Sequence, residues 1–417
     1  MLSKNFTRLF YVALFSAFCT KATADVLFSQ FEINVIAAQG PWPVVVRKDP
    51  GNELSGLAWA EKLGKSLFND PSLSVSGSVS CQSCHRSDQG FSDGLPVAVG
   101  EKTAVRNTQG LLNVGLQRWF GWGGGADSLW AASLRPLLAE HEMGRDIPGL
   151  AAELRSKERF MIEIYDYIIN DGDLSGAALK DAALKGDNLN NDNLNDTELI
   201  DDGIKGVDLI NDTQLVVLAA KSIAAYTRTL QSGVTPFDKF RNALLENDVQ
   251  GMGDYSIAAK RGLKLFIGEA NCRVCHFGAN FSNSEFHDIG LPFFTAVGQI
   301  DPGRFAGIQR IREDPFSLLG QYGVNVSANE RFPTATVKQS QLNWGQWRTP
   351  SLRNLTLTAP YMHNGSLASL RDVVNWYVDI NPDRLHTNGE SLLKPLSLTE
   401  QQRLDLVAFL ESLSVVR

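Results

Sequence analysis

Two copies of one short motif constrain this chain more than any other feature of its sequence. The motif reads Cys-x-x-Cys-His, and it occurs at residues 81–85 and again at residues 272–276. Two thiols at this spacing can add to the two vinyl groups of one porphyrin, and the adjacent histidine then becomes the proximal ligand of the iron. The sequence therefore predicts two covalently bound haem c groups, with these attachment and iron-binding residues: Cys81, Cys84, His85, Cys272, Cys275 and His276.

Two other uses of paired cysteines explain the motifs less well. A zinc site built from two Cys-x-x-Cys pairs does not need a histidine directly after each pair. A thioredoxin-like redox site needs a single pair on a βαβ unit. Because both pairs are followed by histidine and lie far apart in the chain, haem attachment is the preferred interpretation.

Composition and charge describe a globular protein and exclude a nucleic-acid binder. Hydrophobic residues make up 43% of the 417 residues and charged residues 20%, a balance that is typical of folded domains. The formal net charge is -7, and acidic residues are concentrated in segment 171–212. A protein that binds nucleic acid needs a basic patch or stripe, and this sequence has none.

The N-terminal residues are typical of an export signal. Lys4 and Arg8 precede an apolar run over residues 10–20, and the small residues Ala22-Thr23-Ala24 follow it. The run is too short to cross a bilayer, and small residues are what a signal peptidase requires. We expect residues 1–24 to be a cleaved signal peptide and the mature chain to be periplasmic and free of the membrane. An uncleaved N-terminal anchor is the alternative.

The surroundings of the two motifs resemble each other, which indicates an internal duplication. A helical pattern precedes each motif, at residues 60–68 and 258–266, and a Phe-Ser pair follows each one, at residues 91–92 and 281–282. Helical spacing recurs over residues 213–231, and Ser397 with Glu400 predicts a capping box before a C-terminal helix. The expected fold is mainly α, with two cytochrome c-like haem domains related by internal duplication.

One segment follows neither a helical nor a strand pattern. Between residues 171 and 212 an aliphatic residue recurs at every fifth position, and Asp, Asn, Gly and Ala fill most positions between. This period resembles that of pentapeptide-repeat β-helices, although eight repeats form only about two coils of such a solenoid. A pentapeptide-repeat-like insertion and an acidic surface insertion both remain open for this segment.

These features divide the chain into five expected segments. The signal peptide at 1–24 is followed by an N-terminal haem domain at 25–170 and by the acidic insertion at 171–212. Residues 213–250 are expected to form a helix and a connection that complete the N-terminal domain. Residues 251–417 are expected to form the C-terminal haem domain.

Two such motifs in an exported, mainly helical chain resemble the bacterial di-haem cytochrome c peroxidase/MauG family. The resemblance covers about residues 50–170 and 213–415, and it fails in the leader and the insertion. It rests on these further stretches: Arg106–Thr108, Leu112–Asn113, Gly121–Trp122, Ala126–Leu129, Glu142–Gly144, Phe286–Pro292, Arg348–Asn354 and Thr358–Gly365. It implies that the N-terminal haem meets hydrogen peroxide and that the C-terminal haem stores or relays an electron equivalent.

The resemblance implies catalytic roles for two residues of the first half. Glu142 is the expected acid–base group, because cleavage of the O–O bond needs a proton moved from the near to the far oxygen. Glu140 and His141 are the alternatives. Trp122 matches the tryptophan that carries oxidising equivalents between the two haems, and a packed core aromatic is the alternative.

The distal ligand of the second haem distinguishes the two branches of the family. The resemblance places a methionine there in the peroxidase branch and a tyrosine in the MauG branch, and the family offset from Thr358 falls on Tyr377. We therefore expect Tyr377 to bind the second iron, as a phenolate does in catalase, with Met362 and His363 as alternatives. This ligand indicates the MauG-like branch.

Two further positions concern the first haem and the protein surface, and the first departs from the peroxidase branch whereas the second departs from MauG. Residues 99–106 contain no histidine, although the peroxidase branch has a distal histidine there. The first haem is therefore expected to be open without prior reduction. Ala270 stands where MauG has a surface tryptophan that passes oxidising equivalents to its protein substrate, so this role is not carried over.

The resemblance also implies a calcium ion between the two haem domains. Asn107, Thr358 and Pro360 match its ligands, which are an amide and backbone carbonyls, the oxygen donors that Ca²⁺ prefers. Ordinary turn residues are the alternative interpretation. His287 and His363 fall in family motifs and are expected to be structural groups near the second haem.

These expectations describe an enzyme that reduces hydrogen peroxide with electrons from a periplasmic cytochrome c or copper protein. One alternative is a MauG-like oxidase that modifies a side chain of a partner protein. A second is a non-enzymatic di-haem electron carrier, in which both irons are six-coordinate, and a third is a sensor or binding module. The sequence predicts no particular oligomeric state.

Overall fold

The computed structural model describes residues 26–168 and 210–415, apart from residues 293, 297–298 and 382–392. The expected signal peptide at 1–24 lies outside the described residues. All the recurring aliphatic positions of the acidic insertion lie outside them as well, so the two interpretations of that segment stay predictions.

Helices form most of the described chain, which confirms the mainly helical fold. No helix among the described residues is long and apolar enough to span a membrane. In chain order the helices are α1 (Gln30–Ala37), α2 (Ala58–Phe68), α3 (Cys81–Cys84), α4 (Leu129–Leu138), α5 (Ile147–Arg155), α6 (Glu158–Asp166), α7 (Asp212–Arg228), α8 (Pro236–Glu246), α9 (Val249–Gly253), α10 (Ile257–Ile267), α11 (Arg304–Glu313), α12 (Ala328–Thr336), α13 (Leu370–Val378) and α14 (Glu400–Glu411).

The strands of the described chain are short and form two small antiparallel sheets. One sheet pairs β1 (Phe286–His287) with β4 (Trp347–Arg348). The other pairs β2 (Phe294–Ala296) with β3 (Gln299–Ile300). All four strands belong to the second half of the chain.

The first hydrophobic core is built around α7, which packs against α2, α4 and α5. α7 begins at a capping box in which Asn211 and Gln214 exchange side-chain-to-backbone hydrogen bonds. Most of its residues are buried, as expected for a helix at the centre of a core. Leu63 from α2 and Trp130 from α4 belong to the same core. The helix that follows the insertion therefore forms the centre of the first core.

The second core contains α10, α13 and α14, with the rings of Phe266 and Phe409 in contact at a centroid distance of 4.8 Å. Ile36 of α1 and Phe237 of α8 are also fully buried in this core. The expected boundaries, which assigned segments 25–170 and 213–250 to the N-terminal domain, are wrong for these two helices. The reason is that α1 and α8 pack against each other and α1 packs on α10, so their apolar faces are covered by the second half.

Each core contains one close helix crossing that requires a glycine. α2 crosses α7 at Gly64, where a Cβ atom would stand 1.8 Å from the carbonyl oxygen of Ser222. α10 crosses α14 at Gly262, where a Cβ atom would stand 1.9 Å from the carbonyl oxygen of Asp405. Since α2 and α10 each lead into one of the motifs, these crossings fix where each motif meets its core.

An asparagine follows the same pattern in each half. Asn113 and Asn354 both have left-handed backbone angles, with φ of 65° and 62°. The backbone N–H of Asn113 donates to the carbonyl of Leu230, just beyond α7, and that of Asn354 donates to the carbonyl of Leu413, just beyond α14. Each asparagine thus joins the segment that follows a motif, through a backbone hydrogen bond, to the residues just beyond the end of α7 or α14.

The start of the C-terminal helix differs from the sequence prediction by two residues. The capping box is formed by Thr399 and Gln402, and α14 begins at Glu400. The predicted pair, Ser397 and Glu400, has the same spacing, so the pattern alone does not separate the two. Thr399 acts as the cap because its side chain accepts the backbone N–H of Gln402.

Candidate haem sites

The two motif histidines are held in the same way. Nδ1 of His85 lies 2.9 Å from the carbonyl oxygen of Phe91, and Nδ1 of His276 lies 3.0 Å from that of Phe281. An Nδ1–H that donates to a carbonyl leaves Nε2 unprotonated, with its lone pair free for a metal. Both histidines therefore present the atom that a haem iron binds.

A tight turn after each motif supplies these carbonyl groups. Phe91 and Phe281 have φ of 59° and 49°, a left-handed conformation that residues with a side chain rarely adopt. The Phe281 ring is fully buried and packs edge-on against Phe266, while the Phe91 ring packs edge-on against Phe68. The packed rings hold each turn, and each turn holds the carbonyl that orients the histidine.

Burial sets the protonation of both motifs. It lowers the pKa of His276 to about 4 and also lowers the pKa of His85, so both imidazoles are neutral at pH 7, the form that binds metals. Burial raises the pKa of Cys81 to about 12, of Cys84 to about 11 and of Cys272 to about 12. A redox-active pair needs a thiol with a lowered pKa, so these values argue against a thioredoxin-like site.

A cavity of about 450 Å³ opens in front of the second motif. Burial, together with the nearby Cys272 and Cys275, raises the pKa of Tyr377 above its usual range, so this phenol is protonated unless a cation stands beside it. The cavity wall brings together the second motif, the expected distal ligand and both alternatives to it: Cys272, Cys275, His276, Tyr377, Met362 and His363.

Three buried polar atoms test whether a porphyrin fits this cavity. Nε1 of Trp347, Nδ2 of Asn354 and Nδ1 of His363 have no hydrogen-bond partner among the described residues, and all three residues line the cavity. Buried polar atoms without partners cost free energy, which a ligand with its own polar groups offsets. A porphyrin combines an apolar ring with two carboxylates. The cavity therefore fits a haem c bound through the second motif, and the first motif offers the same thiols and imidazole.

Glu142 lies beside the first motif. A short backbone pairing positions it, in which the N–H of Glu101 donates to the carbonyl of Glu142 over 2.8 Å. The Glu142 carboxylate is near enough to Cys81 and Cys84 to contribute to their raised pKa values, and near enough to His85 to act on its pKa as well. The predicted acid–base residue therefore faces the predicted attachment site of the first haem.

The environment of Glu142 keeps its carboxylate ionised. Burial acts to raise its pKa, but a hydrogen bond from His141 and the positive charge of Arg135 outweigh burial, so the pKa of Glu142 is lowered. The ring of His141 lies 3.5 Å from this carboxylate. Glu140, one of the alternatives, instead forms an exposed ion pair with Lys102. Of these two glutamates, Glu142 is the one whose carboxylate lies beside the motif.

Trp122 stands where the two halves of the chain meet. Its indole Nε1–H donates to the carbonyl of Asn107 over 2.9 Å, and its own carbonyl accepts the backbone N–H of Arg348 over 2.9 Å. Asn107 belongs to the first half and Arg348 to the second. Trp122 also lines the cavity of the second motif. The structure thus places this tryptophan at the junction that its expected relay role requires.

The three residues expected to bind calcium line the same cavity. The side-chain N–H of Asn107 donates to the carbonyl of Leu95 over 2.8 Å, which leaves the amide oxygen for another partner. The described residues contain no group of three or more His, Cys, Asp or Glu side chains that could hold a metal ion. Calcium at Asn107, Thr358 and Pro360 would therefore depend on neutral oxygen donors.

Comparison with known proteins agrees with these two sites. Residues 59–180 match the family described as di-haem cytochrome c peroxidase. The chain is 32% identical to the methylamine utilization protein MauG of Methylorubrum extorquens, over 94% of this chain and 87% of that protein. The chain belongs to the di-haem cytochrome c peroxidase/MauG family. It is also 32% identical to the cytochrome-c peroxidase IdrP1 of Pseudomonas sp. strain SCT, over 89% of this chain and 84% of that protein.

Solved structures related to this family have the same fold. A MauG-like protein associated with microbial copper homeostasis superposes with a TM-score of 0.61 at 22% identity, covering 90% of this chain and 96% of that one. The di-haem peroxidase BthA from Burkholderia thailandensis gives a TM-score of 0.60 at 20% identity, covering 89% and 88% of the two chains. At these identities the likeness establishes the fold alone.

Sequence reasoning missed the contacts that join the two halves. Arg106 and Asp301 form an ion pair through two hydrogen bonds of 2.5 and 2.6 Å. The ring of Trp347 stacks on His363 with a centroid distance of 3.7 Å, and Arg106 lies above the same indole. Arg106 and His363 stand in family motifs, but neither Asp301 nor Trp347 does. No local pattern marked these two residues, because their partners are distant in sequence.

The position that carries a surface tryptophan in MauG is small and buried in this family member. Ala270 is 8% exposed, and its carbonyl oxygen lies 3.5 Å from the Sγ atom of Cys272. The chain therefore places no aromatic ring at this point beside the second motif. His287 lines the cavity and contacts Asn283 over 3.1 Å through its Nε2 atom, so it lies near the second haem site as expected.

Proposed function

We propose that this chain is a di-haem c-type peroxidase that reduces hydrogen peroxide to water in the periplasm. A small cytochrome c or a copper protein would supply the electrons, and both haems together would hold two oxidising equivalents. The observation that carries the proposal is an asymmetry between two sites that orient their histidines alike. Glu142 stands beside the first motif, whereas Tyr377 shares the cavity of the second.

Glu142 gives the first site its catalytic residue. When bound, the haems would supply the iron centres that accept the oxidising equivalents of peroxide. Glu142 would take a proton from the near oxygen of peroxide and deliver it to the far oxygen, so that the far oxygen leaves as water. Its lowered pKa supports this role, because the carboxylate must be ionised before it accepts the proton.

Tyr377 would close the second site to peroxide. Its phenol lies in the same cavity as His276, and a cation beside it would favour the phenolate over the protonated form. A phenolate ligand donates strongly to iron and stabilises high oxidation states. The second haem would therefore hold an oxidising equivalent, while the first haem meets the substrate.

Trp122 would carry oxidising equivalents between the two sites. Its indole donates to the carbonyl of Asn107 and its backbone carbonyl accepts from Arg348, so the residue is held by both halves of the chain. A fixed indole between two redox centres divides one long transfer into two shorter ones. The position of Trp122 supports this role, and its neighbours hold that position.

We also propose that the two halves arose by internal duplication and that a Ca²⁺ ion lies between them. The close crossings at Gly64 and Gly262 and the matching hydrogen bonds of Asn113 and Asn354 support the duplication. The common cavity wall supports calcium at Asn107, Thr358 and Pro360. The apolar run over residues 10–20, with its flanking residues, supports export to the periplasm through a cleaved signal peptide.

A second candidate function is oxidation of a side chain in a partner protein. Tyr377 in the second cavity favours this function, because the resemblance assigns a tyrosine ligand to the MauG branch. The buried Ala270 weakens it, because oxidising equivalents would need a different exit to the partner. A peroxidase that takes electrons from a small redox protein does not need an aromatic residue at that position.

A titration of the purified holoprotein with hydrogen peroxide tests the proposal. Absorption and EPR spectra should show one high-spin ferric haem, which reacts with peroxide, and one low-spin haem. Turnover with a reduced small cytochrome or copper protein should follow. Two low-spin haems that ignore peroxide would instead identify an electron carrier. Reaction with peroxide but no turnover with small donors would favour the partner-protein oxidase.

A further inference from the structure

The buried arginines of the described chain differ in how their charges are compensated. They are Arg241, Arg304, Arg348 and Arg353. Arg353 forms two hydrogen bonds of 2.8 and 2.9 Å with the carboxylate of Asp238. Arg241 donates to the carbonyl of Ala37 over 2.6 Å, and Arg304 donates to the carbonyl of Gly124 over 3.0 Å. These three arginines therefore have strong acceptors within the protein.

Arg348 lacks such an acceptor among the described residues. Its side chain makes two hydrogen bonds, to the carbonyls of Gly121 and Thr349, and both are 3.4 Å long. No described carboxylate forms an ion pair with it, although only 2% of the residue is exposed. Burial alone lowers the pKa of Arg348 to about 10, so the guanidinium is still charged at pH 7. An uncompensated buried charge is costly, which indicates that an anion belongs beside it.

The position of Arg348 shows where that anion would come from. The residue lines the 450 Å³ cavity of the second motif, together with His276 and Tyr377. The unpaired Nε1 atom of the adjacent Trp347 lies on the same wall. A porphyrin in this cavity brings its own carboxylates, and a guanidinium pairs with a carboxylate through two parallel hydrogen bonds.

We infer that Arg348 binds a carboxylate of the second haem and so fixes that edge of the porphyrin beside the turn that carries Trp122. The backbone of the same residue already donates to the carbonyl of Trp122 over 2.9 Å. Arg348 thus connects the second haem and the relay tryptophan through one residue. This inference rests on the proposed di-haem function, and it adds a residue that sets the reduction potential of the second haem.

Redox titration of holoprotein variants tests the inference without any peroxide turnover. In Arg348→Gln, the loss of a positive charge beside the second haem should favour the oxidised form. The midpoint potential of that haem should fall by about 59 mV or more, which corresponds to about a tenfold change in its reduction equilibrium. Arg348→Lys keeps the charge but loses the two-point contact, so it should still shift the potential measurably, by less than half as much.

Arg304→Gln is the matched control, because it removes another buried positive charge, one that donates to the carbonyl of Gly124 and does not line the cavity of the second motif. In this variant, the reduction equilibrium of the second haem should change by no more than about twofold. Haem content by the pyridine haemochrome assay shows whether each variant carries both groups. If Arg348→Gln does not incorporate both haems, Arg348→Lys tests the inference alone. A lysine makes one contact with a carboxylate where an arginine makes two, so the potential of the second haem should still shift.

Two results would overturn the inference. One is an unchanged second-haem potential in an Arg348 variant that carries both haems. The other is a shift of the wild-type potential on addition of formate that Arg348→Gln abolishes, because a free carboxylate would then occupy Arg348 in place of the haem. Failure of the proposed function is a separate result, since a protein inert to peroxide still has two measurable potentials.

Discussion

Gly64 lies against the backbone of Ser222 so closely that a Cβ atom on Gly64 would stand 1.8 Å from the Ser222 carbonyl oxygen. Gly64 belongs to α2, which leads into the first motif, and Ser222 belongs to α7 at the centre of the first core. The contact at this crossing therefore fixes α2, the helix before the haem attachment site, relative to the buried central helix α7.

Gly64→Ala should destabilise the protein, because the two helices must separate to admit one methyl group. We expect the free energy of unfolding to fall by about 1–3 kcal/mol, which urea titration of the holoprotein measures. Gly253→Ala is the control, since Gly253 ends the short helix α9 and has nothing within 4 Å of its Cβ position. Equal stability of the two variants would show that the crossing tolerates a side chain.

Glu142→Gln should abolish most peroxide turnover, because an amide does not accept the proton of the near peroxide oxygen and so cannot deliver it to the far oxygen. The expected loss is about 10²- to 10⁴-fold, with both haems still attached. Stopped-flow mixing with hydrogen peroxide measures the first step directly. The control is Glu140→Gln, which removes an exposed carboxylate paired with Lys102 and should leave the rate unchanged. If the Glu140 variant loses the rate and the Glu142 variant keeps it, the acid–base assignment is wrong.

Tyr377→Phe should change the spectrum of the second haem, because the variant removes the phenolic oxygen proposed as its distal ligand. We expect the low-spin EPR signal of that haem to be replaced and the signal of the first haem to stay unchanged. Tyr361→Phe is a matched control, since Tyr361 lines the same cavity while its hydroxyl donates to the carbonyl of Leu355. An unaltered second-haem spectrum in Tyr377→Phe would contradict the ligand assignment.

The local parts of the sites could be predicted from the sequence. The motif spacing predicted the haem attachment residues, whose two histidines the structure holds alike, and the helical patterns predicted the helices before each motif. Motif matches and family offsets led to Glu142, Trp122 and Tyr377, which the structure places beside the first motif, at the junction and in the second cavity. Each of these predictions depends on a short sequence motif or on a fixed spacing from one, so none of them required knowledge of the fold.

The parts that depend on distant contacts could not be predicted. The assignment of α1 and α8 to the second core follows from their packing, which no spacing in the sequence reveals. The pairing of Arg106 with Asp301 and the uncompensated charge of Arg348 are likewise properties of the folded chain. The capping box at Thr399 is a smaller example. Two overlapping sequence patterns fit the start of α14, and only the backbone geometry shows that Thr399 is the cap.

Trp122→Phe should slow the exchange of oxidising equivalents between the haems, because a phenyl ring is much harder to oxidise than an indole. The first haem should still react with peroxide at the wild-type rate, while donor-dependent turnover falls by at least about tenfold. The substitution also removes the hydrogen bond to Asn107, worth about 1 kcal/mol, so unfolding is measured in parallel.

Trp119→Phe is the control for this loss of an indole. Trp119 precedes Trp122 by three positions, is 4% exposed and packs against Phe286 without lining the second cavity. The Trp119→Phe substitution should therefore lower the free energy of unfolding while it leaves the rate of peroxide turnover nearly unchanged. Turnover at the wild-type rate in Trp122→Phe, with both haems attached, would mean that oxidising equivalents cross the junction without this indole. The stacked pair of Trp347 and His363 on the same cavity wall would then be the next route to test.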